Sequence, residues 1–599
     1  MTGSLAPRAE YERRLSERRA RVVGIDRAHF RLSNARLAVA GVGVVLLWLA
    51  FGRDALSGFV VLAPALAFGV LVIVHARLLE RGARAARAVR LYERGLDRLA
   101  GRWHGKGRAG DGFLEGHPYA RDLDLFGRGS LFELMNTAQT EAGEATLADW
   151  LRHGAPIPEV QARHAAVDEL RPKLDFREEV GVLAAEQQVS RTGALAAWAA
   201  SAPIGFVVLP WVCGACGLFT LALSIAAWRG PLSWTFVIAW IAAEALITWP
   251  WRKHLGTVMT RIGRPAEDLS LLSALVSRIE REPAASGRLH TLRAALAGDG
   301  IPASRAIARL TSLVSWYESS VHNLLFMPLT RALLVPEQLT MAIDRWQQHH
   351  GSRVAEWLRV VGEVEALSAI AGYAYERPAD PFPELVEPAG RAALFEADGL
   401  IHPLLASAVG VANDVRLGGE GPRIIVLSGS NMSGKSTLLR AVGVNVVLAL
   451  AGAPVRASRL RQSPLTIGAT LRIDDSLHEG HSRFYAEILR IRSIVDAARS
   501  SSPLLFLLDE ILHGTNSHDR RIGAEAIARA LVDSGAIGLV TTHDLALTEL
   551  TNRLGARAAN MHFEDRLEGE RMIFDYRMKP GIVEHSNALA LMRAIGLDV

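Results

Sequence analysis

Four long apolar runs lie in the N-terminal half of the chain and constrain its fold more than any other feature. They span residues 37–52, 55–76, 192–228 and 230–251. Only Glu244, in the last run, interrupts them. Such runs must be buried in protein or in a bilayer; three have the usual length of a membrane span, and the first is slightly short. We predict four transmembrane helices in two hairpins, at 37–76 and 192–251, with two buried helical hairpins as the alternative.

Basic residues around the first run predict the orientation of the chain. A cluster of arginines precedes this run, at Arg8, Arg13, Arg14, Arg18, Arg19, Arg21, Arg27 and Arg31. The two tight turns hold only Arg53 and Arg229. Because positive charges are retained on the cytoplasmic side, both termini should face the cytoplasm. A second run follows the first at once, so we expect an anchor and not a cleaved signal peptide, in a multi-pass protein of a bacterial inner membrane.

Three residues inside the apolar runs have an acidic or a thiol side chain. Glu244 is either a functional intramembrane acid or a polar contact between helices, and the second reading is favoured. Cys213 and Cys216 lie in apolar surroundings that do not suit a zinc or redox site, so we expect them to pack. No disulfide framework is implied, which fits working parts in a reducing compartment.

Arginines recur every three or four residues after the second run. They are Arg77, Arg81, Arg84, Arg87, Arg90, Arg94 and Arg98. On a helix this spacing forms one basic stripe. Anionic lipid headgroups are favoured over DNA phosphates as its partner because the stripe begins at the bilayer surface, and a solvated face is the third reading. The net charge of +5 adds little, since only five of the 67 basic residues are lysine and the arginine bias can reflect composition alone.

A phosphate-binding loop follows the β-branched run Ile424 to Val426 and precedes a helical pattern. Its residues are Gly429, Ser430, Asn431, Met432, Ser433, Gly434, Lys435, Ser436 and Thr437. The glycines let backbone N–H groups turn towards phosphate, and the helix N-terminus adds favourable dipole charge. We expect Lys435 to reach the β- and γ-phosphate oxygens of ATP and Ser436 to ligate Mg²⁺.

Two further strands should bring polar groups to the same edge of a parallel sheet. One strand, 504–508, ends at Asp509 and Glu510, and another, 537–540, runs towards His543. Catalytic groups lie at the carboxyl ends of such strands. We predict that Asp509 holds Mg²⁺, that Glu510 orients or polarises water, and that His543 senses the γ-phosphate. A capping or surface role for each carboxylate is the alternative, which the ordered pairing with the loop disfavours.

Taken in order, these motifs resemble the ATPase motifs of the MutS family of DNA mismatch repair ATPases. The matching segments are 429–437, 509–510, 514–517 and 541–544. Residues 475–487 are similar to the family's signature stretch, whose serine opens a helix and contacts ATP held by the partner subunit. Ser482 is the matching position. The resemblance implies a homodimer with composite ATP sites, in which Ser482 acts in catalysis across the interface.

The resemblance continues on both sides of the nucleotide motifs. Residues 578–581 and 586–590 are similar to the family's closing segment, and 131–136, 147–151 and 163–170 look like its central helical core. We therefore expect an α/β P-loop ATPase domain of MutS type at 396–599, C-terminal to a mostly α-helical lever or core region at 252–395. The remaining segments are a basic cytoplasmic N-terminus at 1–36, the two membrane hairpins, and a helical region at 77–191 that is core-like from about residue 113.

The resemblance also implies a function, namely ATP hydrolysis with Mg²⁺ coupled to the binding of duplex DNA. A basic tail and a membrane hairpin stand where the family has its mismatch reader, which argues against mismatch recognition and for a membrane-anchored member. After Glu510 the family's usual residues are replaced by Ile511, Leu512 and His513. The alternative is a transporter-like ATPase acting on a membrane or protein substrate without DNA, although separated hairpins offer little pore. A non-catalytic scaffold is the third reading.

Overall fold

A computed structural model describes residues 6–583 with short gaps. The gaps are at 54, 186–191, 263–268, 299, 325, 389, 391, 407–408, 431, 473–482, 501, 513–514, 543–547 and 569–570. The chain folds into two compact units. The helical unit comprises Met1–Leu96, Ala138–Ala145 and Lys173–Glu365, and the sheet unit comprises Asp97–Thr137, Thr146–Pro172 and Ala366–Val599.

Mixed α/β sheets and a largely helical N-terminal region confirm the expected fold class in outline. The helices are α1 (Pro7–Leu47), α2 (Leu62–Leu99), α3 (Leu131–Met135), α4 (Glu141–Arg152), α5 (Ile157–Leu170), α6 (Leu174–Ala184), α7 (Thr192–Ala200), α8 (Leu209–Trp228), α9 (Trp234–Thr248), α10 (Arg252–Ile262), α11 (Leu269–Arg281), α12 (Gly287–Ala297), α13 (Ala303–His322), α14 (Met327–Ala332), α15 (Val335–Glu376), α16 (Lys435–Ala451), α17 (Arg483–Ala498), α18 (Ser517–Asp533) and α19 (Leu550–Leu554). The strands are β1 (Glu384–Leu385), β2 (Leu394–Leu400), β3 (Asn413–Gly418), β4 (Ile424–Ser428), β5 (Arg459–Gln462), β6 (Thr466–Thr470), β7 (Leu504–Leu508), β8 (Ile537–Thr542), β9 (Ala558–Glu568) and β10 (Arg571–Pro580).

The first apolar pair forms a long antiparallel hairpin of α1 and α2. The charged and apolar parts of α1 make one continuous helix, with Pro7 tolerated in its first turn. A π-helical turn, Trp48–Gly52, and a 3₁₀ turn, Gly58–Val61, lead to α2. The two helices meet at His29 and His75, whose ring nitrogens lie 2.8 Å apart. The predicted basic N-terminus and first span are therefore parts of a single helix.

The second apolar pair departs from the prediction, because the run 192–228 is not one helix. The chain breaks between α7 and α8, where Pro203 and Gly205 occur, the latter with a φ of +77°. Proline cannot continue a helix and glycine readily takes left-handed conformations. α7 packs within the helical unit, where Trp198 stacks on Trp346 with ring centroids 6.0 Å apart. Only α8 retains the length of a span.

Three helical stretches within the described residues are long and apolar enough to cross a membrane. They are Pro7–Gly52, Gly58–Leu99 and Leu209–Trp228. α9, which holds most of the fourth predicted span, has 15 residues and is followed by a 3₁₀ turn at Trp249–Trp251. The predicted number of four membrane helices is thus not confirmed.

Glu244 connects α9 with α8. Its Oε1 accepts hydrogen bonds from Thr220 Oγ1 and, at 2.9 Å, from Trp240 Nε1. The carboxylate is buried, so the favoured reading, a polar contact between helices, accounts for its surroundings. Cys213 and Cys216 are buried in an apolar cluster next to this contact.

The arginine stripe of α2 divides into exposed and paired members. Arg77 and Arg81, next to the apolar part of the helix, are exposed. Arg98, at the other end, forms a salt bridge with the buried carboxylate of Glu376 at 2.5 Å. The stripe is therefore not a uniform binding surface, because its last member is used in an ion pair within the protein.

A polar network around Glu178 joins α1, α2 and α6. Arg18 Nε donates to Glu178 Oε1 at 2.7 Å, and the hydroxyl of Tyr92 donates to Oε2 at 2.6 Å. Arg14 Nη1 lies 3.6 Å from the same Oε2 and 2.6 Å from Asp175 Oδ1. Two arginines of the N-terminal basic cluster are thus committed to internal ion pairs.

Two sheets form the sheet unit. The smaller has the strand order β1-β5-β2-β3, and the larger has the order β10-β9-β4-β8-β7-β6. In the larger sheet β9, β4, β8, β7 and β6 are parallel and β10 is antiparallel to β9. β4, β7 and β8 are buried along their whole length, as expected of strands covered on both faces. Their carboxyl ends lie at one edge of the sheet.

Helices precede these sheets where the sequence resembles a central helical core. α3, α4 and α5 include the segments 131–136, 147–151 and 163–170 almost entirely. Arg163 Nη1 on α5 donates to the carbonyl oxygen of Ala451, the last residue of α16, at 3.2 Å. A cation there compensates the negative end of the helix dipole. This contact fixes the helix that starts at Lys435.

We predict that Glu178→Ala destabilises the helical unit by about 3 kcal/mol, because Arg14 and Arg18 lose the carboxylate that compensates their burial. The purified protein should show a lower midpoint of thermal unfolding by circular dichroism. The matched control is Glu12→Ala, which removes an exposed pair with Arg8 and should change stability by less than about 0.5 kcal/mol. Equal effects of the two substitutions would contradict the role given to the network.

Candidate nucleotide-binding site

The loop between β4 and α16 turns through left-handed backbone conformations. Gly429 and Gly434 have φ values of +147° and +106°. A Cβ at Gly434 would also lie 3.1 Å from the ring of Tyr576. Met432 has a φ of +69° and an exposed side chain. The path of the chain therefore requires the two glycines, in agreement with the prediction of a phosphate-binding loop here.

Lys435 begins α16 with its side chain folded back over the loop. Its Nζ donates to the carbonyl oxygens of Gly429 at 2.7 Å and Ser430 at 2.8 Å. Burial lowers the pKa of Lys435, and the nearby carboxylates of Glu510 and Asp509 act in the opposite direction. An ammonium group held this way lies over the loop whose N–H groups would face a phosphate.

Asp509 connects three elements at the carboxyl edge of the sheet. Ser436 Oγ, on α16, donates to Asp509 Oδ2 at 2.6 Å. Thr541 Oγ1, at the end of β8, donates to Oδ1 and also accepts the backbone N–H of Glu510 at 3.0 Å. The structure thus brings together the two residues predicted to hold Mg²⁺. Hydroxyl and carboxylate oxygens are the ligands this ion prefers.

Glu510 occupies an unusual backbone conformation directly after β7. Its φ is +48°, and that of Leu512 is +59°. Left-handed conformations at residues other than glycine cost about 1–3 kcal/mol each and concentrate at functional sites. Ile511 and Leu512 are buried in the core below the sheet edge. Two of the three residues that depart from the family's pattern, Ile511 and Leu512, are therefore part of the core that holds the turn carrying Glu510; His513 lies outside the described residues.

A cavity of about 390 Å³ opens beside the loop. Gly434, Lys435, Ser436, Thr437 and Glu510 form its polar side. The rest of its wall is largely apolar or aromatic and includes Leu400, His402, Leu405, Val409, Val411, Phe563 and Tyr576. The volume lies within the range of small-molecule sites, and the division into a phosphate side and an apolar side suits a nucleotide.

The apolar wall is what the sequence did not predict. It comes from the segment between β2 and β3 and from β9 and β10, which carry no nucleotide motif. Burial lowers the pKa of His402 to about 4, so this ring is neutral at physiological pH, and its Nδ1 accepts the backbone N–H of Leu404 at 3.2 Å. A neutral ring places no charge beside the apolar part of the cavity.

Polar atoms of the loop support the same fit. The Oγ atoms of Ser430 and Ser433 are buried and have no hydrogen-bond partner among the described residues. Buried hydroxyls without partners are costly. Together with the loop N–H groups they suit the oxygens of a phosphate chain.

Three predicted site residues lie outside the described residues, namely Asn431, Ser482 and His543. The same holds for Gly514, for 475–482 of the signature stretch and for 586–590 of the closing segment. Their predicted roles remain predictions. The residues brought together are Gly429, Gly434, Lys435, Ser436, Asp509 and Glu510.

Asp122 is a further residue of this unit that the sequence did not single out. It is fully buried, and its Oδ1 accepts the backbone N–H groups of Leu471 and Arg472 at 2.8 and 2.7 Å. Its Oδ2 pairs with Arg490 of α17. The carbonyl oxygen of Asp122 accepts Arg440 Nε of α16 at 3.0 Å. One acidic residue thus ties the end of β6, α17 and the helix after the phosphate loop.

The fold and the site define a P-loop nucleotide-binding unit, and comparison with known proteins specifies it further. Residues 425–598 match the family model described as MutS domain V. The chain is 35% identical over 205 residues to the Endonuclease MutS2 of Thermus thermophilus, which covers 34% of this chain and 26% of that protein.

Two other relatives carry the name DNA mismatch repair protein MutS. The protein of Methanosarcina mazei is 29% identical over 282 residues, which cover 45% of this chain and 30% of that protein. The protein of Sorangium cellulosum is 36% identical over 208 residues, which cover 33% and 22%. These matches show that part of the chain, including the candidate site, is similar to MutS proteins. The chain spans only 22–30% of the length of the three relatives.

We predict that two substitutions in this site have different effects on ATP binding and ATP hydrolysis. Lys435→Ala should abolish ATP binding, because the ammonium group over the loop is removed, as measured with a fluorescent ATP analogue. Glu510→Gln should keep ATP binding but lower kcat by about a hundredfold or more, as expected for the loss of a general base. Lys106→Ala, at an exposed ion pair with Asp97, is the control and should change neither. Unchanged hydrolysis in both site variants would refute the assignment.

Proposed function

We propose that this chain is a membrane-anchored ATPase of the MutS type, whose ATP cycle is coupled to duplex DNA. The observation that carries the proposal is the convergence of Lys435, Ser436 and Asp509 at one edge of the sheet, within a segment that matches MutS domain V. Proteins of this family use ATP with Mg²⁺.

Each residue of the site has its own role in binding and hydrolysing ATP. The loop N–H groups and Lys435 bind and neutralise the phosphate oxygens. Ser436 and Asp509 would hold Mg²⁺, which when bound neutralises charge that develops between the β- and γ-phosphates. Glu510, at the left-handed turn after β7, orients or polarises water, and His543 senses the γ-phosphate. The apolar wall with Tyr576 takes the base.

A bilayer anchor is the second part of the proposal. Three described stretches have the length and composition of membrane helices, and their apolar side chains are largely exposed, which water disfavours. The basic flanks of the first hairpin favour cytoplasmic termini and a cytoplasmic ATPase domain. We propose the bacterial inner membrane as the location.

Duplex DNA is proposed as the partner because two relatives are named as DNA mismatch repair proteins. DNA binding should stimulate ATP hydrolysis by the detergent-solubilised full-length chain, and this stimulation should weaken as salt rises, because contacts to phosphates release counterions. The measurement is the ATPase rate with linear and with branched duplexes at low and physiological salt. Glu510→Gln controls for contaminating ATPases. Robust activity that no DNA changes would exclude the DNA part and favour a membrane or protein substrate.

A homodimer with shared sites is the remaining part of the proposal. If Ser482 completes the site of the partner subunit, mixing Ser482→Ala chains with Glu510→Gln chains should restore one intact site in each mixed dimer. Random pairing then predicts about a quarter of the wild-type rate per chain. Mixing Glu510→Gln with Lys435→Ala chains is the matched control and should restore nothing. Absence of rescue in demonstrated mixed dimers would exclude the shared site.

A further inference from the structure

Exposed tryptophans mark both ends of the α8–α9 hairpin. Trp211, near the start of α8, and Trp249, just after α9, lie at the same end of the hairpin. They are 81% and 64% exposed. Trp228 and Trp234 flank the turn and are 80% and 54% exposed. From Trp211 to Trp228 a helix rises by about 26 Å, close to the roughly 30 Å of a hydrocarbon core. Tryptophan is enriched at the two interfaces of a bilayer, so these residues set the depth of α8.

A segment outside the predicted spans contacts α8 well inside this interval. At Gly217 an added Cβ would lie 2.9 Å from the carbonyl oxygen of Leu333, so the two backbones approach closely. Leu334 and Met341 belong to the same buried cluster as Cys213 on α8. Gly217 is six residues beyond Trp211, a rise of about 9 Å. Leu333 therefore lies at a depth of about a third of the hydrocarbon core.

The chain leading to this contact presents large apolar side chains to its surroundings. Leu324 is 82% exposed, and Phe326 and Leu329 are each 59% exposed. Trp316, on α13, is 70% exposed. No charged residue occurs between His322 and Arg331. A patch of this kind is unfavourable in water. Arg331, which follows it, has a side chain long enough to reach lipid headgroups from within the bilayer.

We propose that the α13–α14 tip, formed by Leu324, Phe326 and Leu329, is a re-entrant element that enters the same leaflet as the start of α8. The proposal rests on the membrane anchor proposed above. Its occupant is the acyl region of the bilayer, because the tip is continuous with the face of α8 that Leu333 contacts. The run is too short to cross, so hydropathy over a full span does not detect it.

Several polar groups at the ends of the two helices are bonded within the protein, as the bilayer requires of non-helical chain. The N–H of Asn323 donates to Ser319 O at 3.2 Å, and the N–H of Met327 donates to Asn323 O at 2.7 Å. Thr330 Oγ1 donates to Ser320 O at 2.7 Å. The turn between the two helices can therefore enter hydrocarbon without exposing these groups.

The test is spin-label accessibility of the full-length protein in liposomes, in a Cys213→Ala/Cys216→Ala background that retains ATPase activity. Labels replace Phe326 at the tip, Ile225 on the exposed face of α8, and Arg305 at the exposed base of α13. Oxygen, which concentrates in lipid, and a nickel chelate, which stays in water, are the collision reagents. The ratio of oxygen to nickel collisions at 326 should match that at 225 and exceed that at 305 several-fold. A label at Leu329 repeats the test if the Phe326 variant does not fold.

Each other outcome overturns the proposal in a distinguishable way. A lipid-like ratio at 225 with a water-like ratio at 326 would keep the anchor and refute the re-entrant tip. Low collision rates with both reagents at 326 would mean that protein, such as a second copy of the chain, covers the tip. A water-like ratio at 225 as well would refute the membrane anchor together with the tip.

Discussion

The carboxylate of Asp509 is the contact on which the rest of the site depends. It follows β7, receives the hydroxyl of Ser436 from the helix after β4, and receives the hydroxyl of Thr541 from the end of β8. Three parallel strands are thereby aligned at their carboxyl ends. Because Thr541 also accepts the N–H of Glu510, the same group of contacts places the residue proposed to act on water. Loss of this alignment would disturb binding and hydrolysis together.

The sequence was sufficient for those parts of the site whose geometry is local. Gly429 to Thr437 encode a turn that needs left-handed glycines, and Asp509 and Glu510 directly follow a buried strand, so their positions follow from a strand and its end. Tyr576 and Asp122 could not be predicted in this way. Their contacts join segments far apart in the chain, and an apolar or acidic residue without a motif gives no sign of its partner.

The structure of the apolar runs also could not be predicted fully from the sequence. Hydropathy identified four apolar runs, but it cannot separate a helix that lies in lipid from one that packs on protein. α7, with Trp198 against Trp346, belongs to the second kind, and the break at Pro203 and Gly205 ends the apparent span. Conversely, Leu333 packs closely on Gly217 of α8 although it lies outside every apolar run, and no local pattern predicts this contact.

α17 and the turn after β7 are mechanically linked, and this bears on how a shared site would be controlled. The N–H of Leu512 is bonded to the buried carboxylate of Glu487 on α17, and Arg490, one turn further, is paired with Asp122. Leu512 is two residues from Glu510, and both have left-handed backbones with little freedom to adapt. A displacement of α17 must therefore either break the bond to Leu512 or move Glu510. α17 directly follows Ser482 in the chain, so under the proposed shared site this helix is the shortest connection between Ser482 and the turn that carries Glu510.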